Sequence, residues 1–144
     1  MRKKLFLDAN ILVSILNKEY PVFTYSARIL SLSDHSAFEI YTSPICLAIA
    51  FYFAEKKIGS TSAKKKMELL CSNIKISTVG EEATKKCISN KKINDFEDGL
   101  EYYSAIEAGC NCIVTEDIND FYFADIEVLN AEDFIKKYFL QMKQ

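Results

Sequence analysis

A short apolar run, Lys4–Leu7, ends on a carboxylate, Asp8, and Ile11, Leu12, Ile15 and Leu16 then recur at helical spacing. Such a run fits a fully buried strand, and the abrupt change of period means that a helix follows with almost no loop. Asp8 and Asn10 at this junction have a structural use as helix caps. They also stand at a strand tip, where a ligand can reach them. The choice between the two depends on whether other acids gather at the same place.

The rest of the chain repeats the alternation. Phe23, Ala27 and Leu30 mark one face of a second helix after Pro21, so the first two helices form a hairpin. Phe38–Tyr41 reads as a strand, and Thr42-Ser43-Pro44 is a strong helix start. The helix from Ile45 to about Lys57 is apolar on nearly every face and is expected to be buried; Gly59 ends it. A helix carrying Met67, Leu70 and Cys71, a short strand at Ile74 and Ile76, and a helix over Glu81–Ser89 follow. Asn94-Asp95-Phe96-Glu97 opens a helix with Phe96, Leu100, Tyr103 and Ile106 on its apolar face, and Gly109 ends it. Strands at Cys112–Val114 and Glu127–Leu129 precede a C-terminal helix capped by Asn130. At 144 residues the expectation is one domain, 1–144, an α/β/α sandwich around a central, mostly parallel sheet.

In that architecture strand C-terminal ends and helix N-terminal ends share one sheet edge, where sites are built. Asp8 ends the first strand, Asp117 and Asp120 follow the Ile113-Val114-Thr115 strand, and Asp95, Glu97 and Asp98 occupy the first turn of the helix before it. Asp95 and Glu97 also suit a helix N-terminus electrostatically, and Asp117 to Asp120 also suits a turn. Asp95 and Asp98 share a helical face while Glu97 projects elsewhere, so only a subset of the six is expected to converge, and Asp98 lies one residue too deep for a simple cap. Carboxylates held close repel one another, and a divalent cation is the usual remedy; oxygen donors without histidine favour Mg²⁺ or Mn²⁺.

The net charge of −2 argues against wholesale electrostatic binding of nucleic acid, so any such contact falls to local basic patches. Lys91 and Lys92, just before the acidic helix start, are best placed to touch a phosphate backbone. The other lysine pairs read as solvated helix faces, and Tyr102, Tyr103, Phe121, Tyr122 and Phe123 as core or dimer surface. Five cysteines without metal-type spacing fit free thiols in a reducing cytoplasm, and no apolar stretch is long enough to span a bilayer.

Three blocks in order resemble PIN-domain ribonucleases: Leu5-Phe6-Leu7-Asp8-Ala9-Asn10-Ile11-Leu12, Asp95-Phe96-Glu97-Asp98-Gly99-Leu100, and Ile113-Val114-Thr115-Glu116-Asp117-Ile118-Asn119-Asp120-Phe121. The resemblance covers almost the whole chain. It implies a Mg²⁺- or Mn²⁺-dependent endoribonuclease acting on RNA, often a homodimer, and in many small members a toxin of a VapBC-type pair held by an antitoxin. Carried over, Asp8, Asp98 and Asp117 are the catalytic metal ligands, with Asp120 a further ligand or just behind them. Asn10 and Thr115 orient carboxylates or water. One departure is specific: the helix after Ser43-Pro44 usually brings another acid, aligned near Ile49, and here that stretch is Ile45-Cys46-Leu47-Ala48-Ile49-Ala50. The alternative is therefore a weakened or inactive PIN module that binds RNA or protein. A phosphohydrolase with Asp8 as nucleophile is a further reading, but no second acid follows two residues on.

Overall fold

The computed structural model of the chain describes residues 2–144. Five strands, β1 (Lys3–Leu7), β2 (Phe38–Thr42), β3 (Lys75–Ile76), β4 (Cys112–Val114) and β5 (Glu127–Leu129), form one sheet in the order β3-β2-β1-β4-β5. Every pairing is parallel. The helices are α1 (Ala9–Leu16), α2 (Val22–Ser31), α3 (Pro44–Ile58), α4 (Ser60–Cys71), α5 (Glu81–Ser89), α6 (Phe96–Glu107), α7 (Ala131–Lys137) and α8 (Phe139–Met142). The result is the expected α/β/α sandwich.

The central strand is apolar and fully buried over its second half, Leu5, Phe6 and Leu7, and Ile113 and Val114 beside them are fully buried too. That pattern is what a strand covered on both faces requires. The chain runs outward from β1 through β2 to β3, then crosses to β4 on the other side of β1. β1 and β4 therefore flank the point where the winding reverses, and a crevice opens at their C-terminal ends. Leu7 pairs with Val114, which brings Asp8 level with Thr115.

The helical hairpin of α1 and α2 is present, pinned by a buried hydrogen bond between Ser14 and Ser26 at 2.8 Å. Two sequence expectations need correction. Helix α3 is not buried on nearly every face. Its buried stripe is Cys46, Ala50 and Ala54, small residues four apart that let α3 lie close on α1, while Tyr52 and Phe53 stand half exposed. Helix α6 turns a different face inward from the one expected. Its buried positions include Gly99, Tyr102 and Ala105, whereas Phe96 is half exposed. Gly99 sets that rotation: a Cβ there would lie 2.4 Å from Cys87 Sγ and 2.8 Å from Ile93 Cγ2, so only glycine lets α6 seat against α5.

Candidate metal centre

The sheet edge at β1 and β4 carries an open cleft of about 500 Å³, and its lining includes Asp8, Asp95, Glu97, Asp98, Glu101, Asp117 and Asp120. All six acids expected at this edge line the cleft, including Glu97, which helical spacing had directed elsewhere, and Glu101 joins them.

Each is placed by local structure. Asp8 is the N-cap of α1, its Oδ1 accepting from the Ala9 N–H at 2.6 Å. The capping and ligand readings of Asp8 are thus compatible, because the other oxygen is held separately. Asp8 Oδ2 accepts from Thr115 Oγ1 at 2.7 Å and from Asn10 Nδ2 at 3.3 Å. The same Asn10 amide lies 3.2 Å from Asp117 Oδ2 and 3.0 Å from Thr115 Oγ1, and its carbonyl accepts from the Glu116 N–H. Thr115 Oγ1 in turn accepts from the Asp117 N–H at 3.0 Å. Asn10 and Thr115 therefore tie the end of β1 to the loop after β4 and fix the directions of Asp8 and Asp117.

Helix α6 delivers the other side. Asp95 is its N-cap, accepting from the Asp98 N–H at 3.0 Å, so its carboxylate is occupied in the structural role expected of it. Asp98, one turn in, faces the cleft half buried. Asp117 and Asp120 are exposed on the far wall. Among the described residues no ion pair reaches any of these acids.

The electrostatic consequence is large. Burial, with the negative charge of Asp95, Asp8, Asp120 and Glu97, pushes the Asp98 carboxyl up to about 7. Burial first, then Asp8, pushes Glu101 up to about 10. Glu97 is shifted upward as well, by burial and by Asp95 and Asp8. Cys46 on α3 donates to Glu101 Oε1 at 2.6 Å, and burial drives its thiol far up. The ligand atoms of Asp8, Cys46 and Glu101 lie within 4.8 Å of one another. A set of buried and half-buried carboxylates with no cation of the protein's own is what a bound divalent cation would satisfy.

Lys91 and Lys92 lie exposed in the turn before α6, outside the cleft lining. The aromatics divide as expected for core: Tyr102, Phe121 and Phe123 are buried, and exposed Tyr122 spends its hydroxyl on the Lys92 carbonyl at 2.5 Å. Ile49 lines the cleft, so position 49 faces the acids.

The PIN domain family model matches residues 4–119. This chain belongs to the PIN domain family. Over 140 residues it is 28% identical to Ribonuclease VapC1 of Aquifex aeolicus (strain VF5), spanning 94% of this chain and 96% of that one. Among solved structures, VapBC2 from Rickettsia felis, bound to a DNA fragment from its promoter, superposes with a TM-score of 0.67 at 21% identity, over 88% of this chain and 97% of that one. VapC20 of Mycobacterium tuberculosis, a toxin that cleaves the sarcin-ricin loop, gives 0.63 at 13% identity, over 85% and 98%. VapBC-1 from nontypeable Haemophilus influenzae gives 0.67 at 15% identity, over 90% and 98%. At these identities the solved structures speak for the fold.

Of the acids that line the cleft of this PIN domain, sequence reasoning missed Glu101. A signal was available: Glu101 is three residues after Asp98, so on a helix the two project to one side.

Proposed function

We propose that this PIN domain, as one domain over residues 1–144, is a divalent-metal-dependent endoribonuclease that hydrolyses RNA phosphodiester bonds, and the toxin of a toxin–antitoxin pair. The observation that carries the reading is the convergence of Asp8, Asp98 and Asp117 at the β1/β4 crevice, with no ion pair to a basic side chain among the described residues. The similarity to Ribonuclease VapC1 along nearly the whole of both chains supports the same activity.

Asp8, Asp98 and Asp117 would hold Mg²⁺ or Mn²⁺, with Asp120 beside them. The fit is good on this structure's own terms: the donors are mostly carboxylate oxygens, and Asp8 is only 7% exposed without a positive partner. When bound, such a cation supplies Lewis acidity and charge neutralisation at the scissile phosphate. The chain's residues prepare the place for it. Asn10 and Thr115 hold Asp8 and Asp117 in fixed directions, so little reorganisation is needed when the substrate arrives. Asp98, its carboxyl pushed up to about 7, would be favoured in its ionised form with a cation held beside it. Lys91 and Lys92 contact the RNA backbone beyond the cleft and steer it without reading sequence.

We further propose an antitoxin protein and a second copy of this chain as partners, which the VapBC relatives support. A reducing cytoplasm is the proposed setting, supported by five cysteines that are all free; among the described residues no helix is long and apolar enough to cross a membrane. The alternative, a module that binds without cutting, rests on Ile49 standing where an acid was expected. RNA cleavage assays with Mn²⁺, with chelator, and with Asp8→Asn separate the two. Cleavage that needs both the metal and Asp8 supports the enzyme; RNA binding with no cleavage under any condition supports the inert module.

A further inference from the structure

Glu101 is the most deeply buried acid of the cleft, at 1% exposure, and it stands one turn after Asp98 on α6. It accepts a hydrogen bond from Cys46 Sγ and lies within hydrogen-bond reach of the Asp8 carboxylate, and among the described residues no lysine or arginine reaches it. A thiol is a weak donor and Asp8 is itself an acid, so neither neighbour supplies the positive charge that a buried carboxylate needs. Across the cleft, α3 turns Cys46 and Ile49 toward it, three residues apart and thus on one face, and neither is an acid. The side of the cleft formed by α3 therefore lacks a carboxylate, and the buried carboxylate opposite reaches over to a residue of α3.

We propose that Glu101 supplies from α6 the cation-binding carboxylate that α3 lacks at Ile49, and that Cys46 is a positioning residue that holds Glu101 Oε1 in place. This rests on reading the cleft as a cation site. It predicts a specific exchange: a carboxylate at position 49 substitutes for one at position 101, because both side chains line the same cleft from facing helices. The competing role is structural. Glu101 in its neutral form would donate a hydrogen bond to Asp8, which a glutamine amide does equally well.

The test is calorimetric titration of the full chain with Mn²⁺, with thermal melting in the absence of metal, for wild type, Asp8→Asn, Glu101→Gln, and Glu101→Gln combined with Ile49→Glu. The expected result is binding by wild type and its loss in Asp8→Asn. Glu101→Gln should bind about tenfold more weakly or worse, with a metal-free melting temperature no lower than wild type. Adding Ile49→Glu should return most of the lost affinity. Wild-type affinity in Glu101→Gln overturns the proposal and leaves the cation site standing, as does a loss of metal-free stability without loss of affinity. A double variant that folds but binds no better than Glu101→Gln overturns the exchange; if it does not fold, the single variant decides. Failure of wild type to bind Mn²⁺ at all overturns the cation site itself, a result distinct from the others.

Discussion

Glu39 and Glu101 are both buried carboxylates, at opposite ends of one sheet. Glu39 lies near the start of β2, where Lys75 reaches it at 2.6 Å, Arg2 at 3.4 Å and the Tyr41 hydroxyl at 2.5 Å. The Lys75 and Tyr41 hydrogen bonds hold it down to about 2. Glu127, at the start of β5, is treated the same way. Burial works against its charge, but hydrogen bonds from Lys137, Tyr138 and Lys3 outweigh that and hold it to about 2. Glu101 and Asp98, toward the C-terminal ends of the strands, meet only other acids and a thiol, and both are pushed up. The chain thus supplies counter-charge at one end of its sheet and withholds it at the other. Burial alone does not raise a carboxyl group; burial without a partner does. The end without partners is the end where the proposed function places a cation.

The contrast predicts opposite outcomes for equally small changes at the two ends. Asp98→Asn should reduce Mn²⁺-dependent RNA cleavage by about a hundredfold or more, while the metal-free protein melts at the same temperature or higher, because a repelled carboxylate has gone. A stable variant with normal cleavage would remove Asp98 from the site. Glu39→Gln should do the reverse. It loses two charge-assisted bonds and costs about 1 to 2 kcal/mol of stability, read as a lower urea midpoint, with Mn²⁺ affinity and cleavage unchanged. A weaker expectation concerns the rim. Lys91→Ala with Lys92→Ala should leave folding and Mn²⁺ affinity alone and lower the salt slope of RNA binding by about one per lysine. An unchanged slope would show that these two lysines are only solvated surface.

Much of this was readable before any coordinates. The β1–Asp8–α1 junction and the Val114-Thr115-Glu116-Asp117 stretch each carry their signal in a few adjacent residues, because a strand that stops on a polar group must place that group at the sheet edge. Parallel pairing of β1 with β4 then brings Asn10, Thr115 and Asp117 together across more than a hundred residues. Glu101 was harder to see. In sequence its spacing from Asp98 puts the two acids on one side of a helix, but the stretch Glu101-Tyr102-Tyr103 does not say whether that acid is buried. Its hydrogen-bond partner is Cys46, 55 residues earlier in the chain. Helix α3 misled for the opposite reason. Its apolar composition suggested burial all round, yet its neighbours cover only the narrow Cys46–Ala50–Ala54 stripe and leave Tyr52 and Phe53 outside.

The difference between the two ends of the sheet is most directly read from melting temperature against pH, with and without Mn²⁺. An unfolded chain releases its carboxyl protons near pH 4, whereas folded Asp98 keeps its proton to about 7 and Glu101 to about 10. Over that range the folded state binds more protons than the unfolded one, so stability falls as pH rises. Glu39 and Glu127, held to about 2, contribute stability that is present above the ordinary carboxylate value and lost as pH drops toward 2. They are therefore constant between pH 5 and pH 8. The metal-free protein should melt at a lower temperature at pH 8 than at pH 5, and Mn²⁺ should raise melting strongly at pH 8 and little at pH 5, where protons compete for the same oxygens. A metal-free melting temperature that rises from pH 5 to pH 8, or an Mn²⁺ effect absent at pH 8, would contradict the account.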